Sequence, residues 1–216
     1  FDAATGVPVT DFVDVYTKKI HLVVVDSSVT NYQHLHPVFS GSGFTVPVTF
    51  THAGRYHLYF NFEPKGGIEQ QIAASLQVGV GEAPAEQLPA VGQLTRSFGL
   101  YTAQLYTEAG KFFSADMTAG SQQIVLHLTA PKGAPVKNHQ PYLGAWGHFV
   151  MVREGSYEYV HVHPLEPSSE GTEFGPDITF SPLGLTGPIT PGTYHVFAQL
   201  APGGELITTD FRINVE

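Results

Sequence analysis

An internal repeat is the feature that most constrains the fold of this chain. When the 216-residue sequence is aligned with itself at an offset of 127, a run of identical residues coincides without a gap. In the first copy these residues are Gly6, Pro8, Val9, His21, Val23, Val25, Tyr32, His34, His36 and Pro37. Further on, at a larger offset, Thr49, Phe50, Gly54, Tyr56, His57 and Pro64 recur as Thr179, Phe180, Gly192, Tyr194, His195 and Pro202. The sequence therefore predicts two copies of one structural module.

The composition indicates that the module is built from strands. The chain has 23 Gly and 16 Pro, and charged residues make up only 13%, which favours a turn-dense β protein. A hydrophobic content of 42% excludes a disordered chain. Residues 21–25 and 148–152 read as strands, and each is followed by a return strand that ends at Pro37 or Pro164. We predict an all-β chain made of two immunoglobulin-like Greek-key β-sandwich modules.

Two further features refine this prediction. Tyr56 and Tyr194 each follow a glycine turn at the start of a strand, which is typical of a tyrosine corner. Before its copy of the repeat, the second module has strand-like segments at 101–107 and 123–129, whereas only residues 1–5 precede Gly6. We expect a first module at 1–80, with its N-terminal strands missing or supplied elsewhere. A Gly/Pro/Ala-rich linker at 81–95 and a second module at 96–216 follow.

Charge and cysteine content exclude several classes of function. A formal net charge of −9 argues against a nucleic acid or an anionic membrane as partner. No apolar run reaches the roughly 18 residues that a membrane span needs. The absence of cysteine excludes disulfide scaffolds, thiolate zinc fingers, thiol catalysis and blue-copper sites.

Histidine is the residue type that the repeat retains at four positions. These are His21, His34, His36 and His57 in the first module and His148, His161, His163 and His195 in the second. A hairpin with an even loop would place His21 directly opposite His34, and His148 opposite His161. Leu22, Val24 and Leu35, like Phe149, Met151 and Val162, would then face the core. His57 and His195 would share the outer face with the other histidines, because each follows a tyrosine that points inward.

This pattern predicts a metal site in each module. Imidazole suits Zn, Cu(II), Ni and Fe, whereas Cu(I) is usually held by Cys or Met. Neither Met117 nor Met151 repeats, so we expect Cu(II) first and zinc second. No acidic residue repeats with the histidines, so no general base is assigned, and we expect no enzymatic activity. His52, His127 and His139 lack this repeat support and are expected to be ordinary structural residues.

Several phrases of the sequence resemble a known family. They are Tyr-Gln-His-Leu-His-Pro from Tyr32, Pro-Tyr-Leu-Gly-Ala-Trp-Gly-His from Pro141, Tyr-Val-His-Val-His-Pro from Tyr159 and Gly-Thr-Tyr-His from Gly192. They are similar to exported bacterial proteins with immunoglobulin-like domains of the YtkA/FixH type, which occur beside heavy-metal systems, notably those for copper. The resemblance implies a periplasmic or cell-surface location and metal binding through the eight histidines. The first module departs from it, with Asp-Val-Tyr-Thr-Lys-Lys-Ile from Asp14 in place of the second phrase.

Two other functions fit the same residues. The His-bearing face also carries apolar residues such as Val23 and Tyr59, so it is a candidate surface for a protein partner or for self-association. Its histidines would then be interfacial, and their protonation near pH 6 would switch binding. A metal-dependent enzyme is the third reading, and it would need an open metal position inside a substrate-sized pocket.

Overall fold

The structure is a computed structural model that describes residues 4–41, 43–84, 87–107, 123–168, 174–181 and 189–215. The chain divides into two compact units, Phe1–Glu86 and Gln87–Glu216, and this division falls within the linker predicted at 81–95. Each unit contains one copy of the repeat. No helix among the described residues has the length and apolarity that crossing a membrane requires.

The first unit is built around one antiparallel sheet. Its seven strands among the described residues are β1 (Phe12–Val13), β2 (Ile20–Asp26), β3 (Gln33–Leu35), β4 (Val38–Phe39), β5 (Phe44–Thr45), β6 (Gly54–Pro64) and β7 (Gln70–Val78). β6 lies at the centre of the sheet and pairs with β1, β2 and β7, while β3 pairs with the other edge of β2. β4 and β5 form a separate hairpin.

The second unit is a sandwich of two antiparallel sheets. Its strands are β8 (Thr95–Phe98), β9 (Tyr101–Thr107), β10 (Ile124–Ala130), β11 (Ala134–Pro135), β12 (Gly147–Arg153), β13 (Tyr159–Val162), β14 (Asp177–Phe180), β15 (Gly192–Leu200) and β16 (Ile207–Val215). A 3-10 turn at Pro131–Gly133 joins β10 to β11. One sheet has the order β13-β12-β15-β16, and the other has β11-β10-β9-β8 with β14 also on β10. These sheets confirm the predicted all-β sandwich and the strands expected at 101–107 and 123–129.

The core of the second unit lies between its two sheets. Side chains from both sheets form one buried cluster, which includes Leu105, Leu126, Ile178 and Phe180 from one and Phe149, Met151, Val162 and Val196 from the other. In the first unit, Leu22 and Val24 belong to the buried cluster and Leu35 packs against it. The predicted core-facing positions of both hairpins are therefore confirmed. Alternation along each strand then places the histidines on the opposite face.

The first unit differs from the second in how its core face is covered. Among its described residues, none form a counterpart of the β9–β10 pair. Its core-facing Ile72 and Leu76 are 51% and 43% exposed, whereas Phe211 and Ile213 of the equivalent strand β16 are fully buried. The described part of the first unit thus has the His-bearing sheet of the module and little of the opposing sheet.

Both predicted tyrosine corners are present. The Tyr194 hydroxyl donates to the Thr190 carbonyl oxygen at 2.9 Å, and the Tyr56 hydroxyl donates to the His52 carbonyl oxygen at 3.1 Å. Both rings are fully buried. Each corner ties the start of a central strand, β15 or β6, to the loop that precedes it.

Removing the corner hydroxyl in Tyr194→Phe should lower the free energy of unfolding by about 1 kcal/mol, because a buried hydrogen bond is lost. Urea unfolding followed by fluorescence of Trp146, which is the chain's one tryptophan and is buried in the second unit, measures this change. Tyr101→Phe is the control, since that ring packs against the same core from a half-buried position. Equal stability of the two variants would contradict the role given to the corner.

Candidate metal centres

Each unit brings three of its predicted histidines together. His21, His34 and His36 form the first triad, and His148, His161 and His163 form the second. In each triad one ring nitrogen per residue can be chosen so that all three lie within 4.8 Å of one another. The ring centroids are 4.8–5.4 Å apart in the first triad and 4.6–5.8 Å apart in the second. Such spacing allows three imidazoles to share one ion at bond lengths of about 2.0–2.1 Å.

The strand register that produces the triads is shifted by two residues from the predicted one. His161 lies opposite Val150 rather than His148, and His34 lies opposite Val23 rather than His21. In the second unit, a hydrogen bond of 2.8 Å from Arg153 N to the Glu158 carbonyl oxygen closes the hairpin around the loop at 154–157, which includes Gly155 and Tyr157 with positive φ. Because the shift is an even number of residues, the histidines keep their face. Continuing the register brings His163 beside His148.

A backbone carbonyl fixes the tautomer of the first histidine in each triad. Nε2 of His21 lies 2.9 Å from the Val15 carbonyl oxygen, and Nε2 of His148 lies 3.1 Å from that of Tyr142. A carbonyl oxygen only accepts, so Nε2 carries the proton, and Nδ1 of the neutral ring presents its lone pair. In the first triad this Nδ1 is 3.2 Å from Nε2 of His34. An ion would therefore be bound through Nδ1 of His21 or His148.

The two accepting carbonyls lie in matching tight turns. Val15 pairs with Lys18 and Tyr142 with Ala145, through backbone hydrogen bonds of 2.8–3.2 Å. Both turns contain two residues of left-handed backbone, Tyr16 and Thr17 in one and Leu143 and Gly144 in the other. The repeat thus conserves a turn that orients the first histidine, as metal-binding histidines generally require.

Burial and charge distinguish the two triads. His148 and His161 are buried, whereas only His21 is buried in the first triad. Burial, the nearby His34 and His21, and the Lys18 ammonium together lower the pKa of His36 to about 3. Burial also lowers the pKa of His21. Both rings are therefore neutral at pH 7, as metal ligands must be. Ala145 occupies the position of Lys18 in the second unit, so the second triad lacks this positive charge.

His57 and His195 share the face of the triads but are not part of them. His57 pairs with Val25 and His195 with Val152, four residues along the strand from His21 and His148. At about 3.3 Å per residue this places them roughly 13 Å away. His195 is instead hydrogen-bonded through Nε2 to Asp210 at 3.0 Å and stacks on Phe197.

Two amide side chains beside the triads did not emerge from the sequence reasoning. Asn61 lies directly opposite His21, and Gln199 lies directly opposite His148. Both are buried, at 2% and 6% exposure. The alignment that matches His57 with His195 also matches Asn61 with Gln199, so a search for retained amides, not only identical residues, would have found them.

The three remaining histidines have other surroundings. His52 lies 3.0 Å from the buried carboxylate of Asp26. His127 lies 2.6 Å from the half-exposed carboxylate of Asp177, its direct partner on β14. His139 is fully buried, and neither of its ring nitrogens has a hydrogen-bond partner among the described residues. It occupies the position of Phe12 in the first unit, since both pair with the corresponding proline, Pro202 or Pro64.

The fold and these sites define a tandem β protein with one histidine triad on a sheet face of each repeat. A family model described as a domain of unknown function, DUF8832, matches residues 2–80 and 110–216. Because the match spans most of the sequence, the chain belongs to that family. The residues between the two matched segments, 81–109, lie between the two triads in the sequence.

Other comparisons add little. The search of curated proteins found no match. Among solved structures, the chain is similar to the Bacteroides ovatus mixed-linkage glucan utilization locus protein SGBP-B, in complex with a mixed-linkage heptasaccharide. The identity is 10% and the TM-score 0.20, and the alignment covers 96% of this chain and 64% of that one. A TM-score this low carries no argument about this chain.

His139 should make the second unit acid-sensitive. Burial lowers its pKa from 6.5 to about 4, so the unfolded chain takes up a proton before the folded chain does. Its neutral form therefore contributes stability above pH 6.5 that is lost as the pH falls toward 4, about 3 kcal/mol in total. His139→Phe, which copies the first unit, should flatten the dependence of unfolding free energy on pH in this range.

Urea unfolding of parent and variant between pH 7 and 4, read by Trp146 fluorescence, measures this difference. Tyr101→Phe, which alters the same core and leaves every histidine in place, is the matched control and should leave the pH dependence near that of the parent. An identical slope in the parent and the His139→Phe variant would contradict the assignment.

Proposed function

We propose that this chain is a non-enzymatic, exported metal-binding protein that holds Cu(II) or Zn(II) for sequestration, delivery or sensing. The observation that carries the proposal is the convergence of three histidines in each unit, at matching positions of the repeat. His21, His34 and His36 would bind one ion, and His148, His161 and His163 a second. His57 and His195 are not included, because they lie too far along their strands.

The chemistry of the ligands supports copper(II) or zinc. Neutral imidazole is a ligand for both ions, and copper(II) binds most tightly among the divalent first-row metals. The triads contain no thiolate or thioether, which are the ligands that Cu(I) prefers. The fixed Nε2 tautomer of His21 and His148 keeps one lone pair of each ring aimed away from the turn, so little reorganisation is needed for binding.

Export and the absence of enzymatic activity are further parts of the proposal. The resemblance to YtkA/FixH-type proteins supports a periplasmic or cell-surface location near metal-handling systems. Among the described residues, no carboxylate belongs to either triad, whereas metal hydrolases pair their ion with a general base. These considerations favour holding an ion over acting on a substrate.

Calorimetric titration of the chelator-stripped chain with Cu(II) and with Zn(II) tests the proposal. We expect two equivalents in the parent, and one equivalent after His161→Ala and His163→Ala are combined, because the second triad then retains a single ligand. Combining His34→Ala with His36→Ala should likewise remove the other equivalent.

His57→Ala is the matched control, since it removes an imidazole from the same sheet face outside the triad, and it should leave the stoichiometry at two. If neither ion binds the parent, the proposal is wrong, and the histidines belong to an interaction surface. Unchanged stoichiometry in both double variants would contradict the assignment of the ligands.

Lys18 should make the first site the weaker one. Its ammonium repels a divalent ion at the first triad, so Lys18→Met should tighten binding there by about tenfold at low salt. Titration in the His161→Ala, His163→Ala background reads this site alone. Lys19→Met is the control, because the Lys19 ammonium is paired with Asp14 at 3.1 Å. Equal effects of the two substitutions, or none from either, would show that Lys18 does not set the affinity.

A further inference from the structure

One polar position beside each triad has no role in the proposed function so far. Asn61 on β6 and Gln199 on β15 are the direct cross-strand neighbours of His21 and His148. Directly opposed residues have Cβ atoms about 4.5–5.5 Å apart, so each amide lies within reach of an ion held by its triad. Both positions are buried in strands whose neighbouring residues are aromatic or aliphatic.

The surrounding residues differ between the units while the amide is retained. Phe60 and Phe62 flank Asn61, whereas Ala198 and Leu200 flank Gln199. A buried amide in an apolar strand costs free energy unless its polar atoms are satisfied. Its presence at the same place in both copies, next to the first histidine, points to a function that the two sites share.

In the second unit, a hydrogen bond indicates how the amide is oriented. Nε2 of Gln199 lies 3.4 Å from Oγ1 of Thr208, its direct partner on β16. The amide nitrogen is thus directed toward β16, and on the other side of β15 the Gln199 position is paired with His148 on β12. Three adjacent strands thus carry a row made of His148, Gln199 and Thr208. The register that pairs Phe149 with Val162 places the next residue, His163, opposite His148 at the end of this row.

We propose that the amide oxygens of Asn61 and Gln199 are the fourth ligands of the two metal sites. This inference rests on the proposed function, and it makes each site a closed set of three imidazole nitrogens and one neutral oxygen. An amide oxygen is a weak donor of the kind found at the axial position of some copper sites. A site with four protein ligands keeps no open position for substrate, which is the arrangement of holding sites and not of catalytic ones.

The test uses the full chain carrying His34→Ala and His36→Ala, so that only the second site binds. In this background we compare Gln199 with Gln199→Leu and Gln199→Glu, titrating Cu(II) and Zn(II) and recording the visible absorption spectrum of bound Co(II). Gln199→Leu should weaken binding about 10- to 100-fold and change the Co(II) spectrum, because one ligand is lost. Gln199→Glu should bind more tightly than the parent and change the Co(II) spectrum, because a charged carboxylate oxygen replaces the neutral amide oxygen.

Gln104→Leu, at an exposed position of β9, is the matched control and should leave both affinity and spectrum unchanged. If Gln199→Leu does not fold, the Gln199→Glu variant decides: a tighter site with an altered spectrum supports ligation, and an unchanged affinity and spectrum overturn it. An unchanged Co(II) spectrum in a folded Gln199→Leu variant also overturns it. Absence of binding by the parent background would instead overturn the metal site itself.

Discussion

The pairing register of the two His-bearing hairpins is the constraint on which the rest of this structure depends. In a strand, neighbouring side chains point to opposite faces, so a slip of one residue would exchange the core and the histidines. The observed register puts Phe149 and Met151 into the core and keeps His148 on the other face. The same pairing brings His161 and His163 beside His148. Fold and site are therefore set by a single choice of register.

The strands that pair with β12 also fix the position of His148. β12 is paired on both sides, so His148 is held between the hairpin strand and β15. The Tyr142 carbonyl oxygen, in the turn closed by Tyr142 and Ala145, then accepts a hydrogen bond from the Nε2–H of His148. Strand pairing and the carbonyl of the turn are both backbone interactions. The surrounding side chains can therefore differ between the two copies while the triad is retained.

The two units have the same histidine triad but differ in how the core face of the sheet is covered. The first unit has the His-bearing sheet, the orienting turn and the tyrosine corner, although the described part of its core face is much less covered than that of the second unit. Its triad is nevertheless formed at the same positions. Three imidazoles therefore come together in both units although the described residues cover the two core faces differently. Differences such as Lys18 in place of Ala145 act on the charge near the ion and leave its ligands unchanged.

Much of this organisation could be predicted from the sequence, because repetition and alternation are both visible in it. The offset between His21 and His148 revealed the repeat, and the alternation of Leu22 and Val24 with His21 identified the core face. The register within the hairpin could not be predicted, since it depends on backbone angles at loop residues such as Tyr157. The distance of His57 and His195 from the triads could not be predicted either. The sequence predicts the face on which they lie, but their pairing with Val25 and Val152, four residues from the first histidine of each triad, is known only from the sheet. The buried amides were missed because Asn61 and Gln199 are similar in chemistry and not identical.

The two metal sites are tested most directly by nitrogen NMR of the histidine rings in the full chain, labelled with ¹⁵N-histidine, before and after addition of Zn(II). We expect His21 and His148 to bind the ion through Nδ1 while Nε2 stays protonated. Resonances of the other four triad histidines should shift with them, and those of His57 and His195 should not. The assignment of the two triads would be contradicted by zinc-dependent shifts confined to His57, His195 or the remaining histidines, or by no shifts at all.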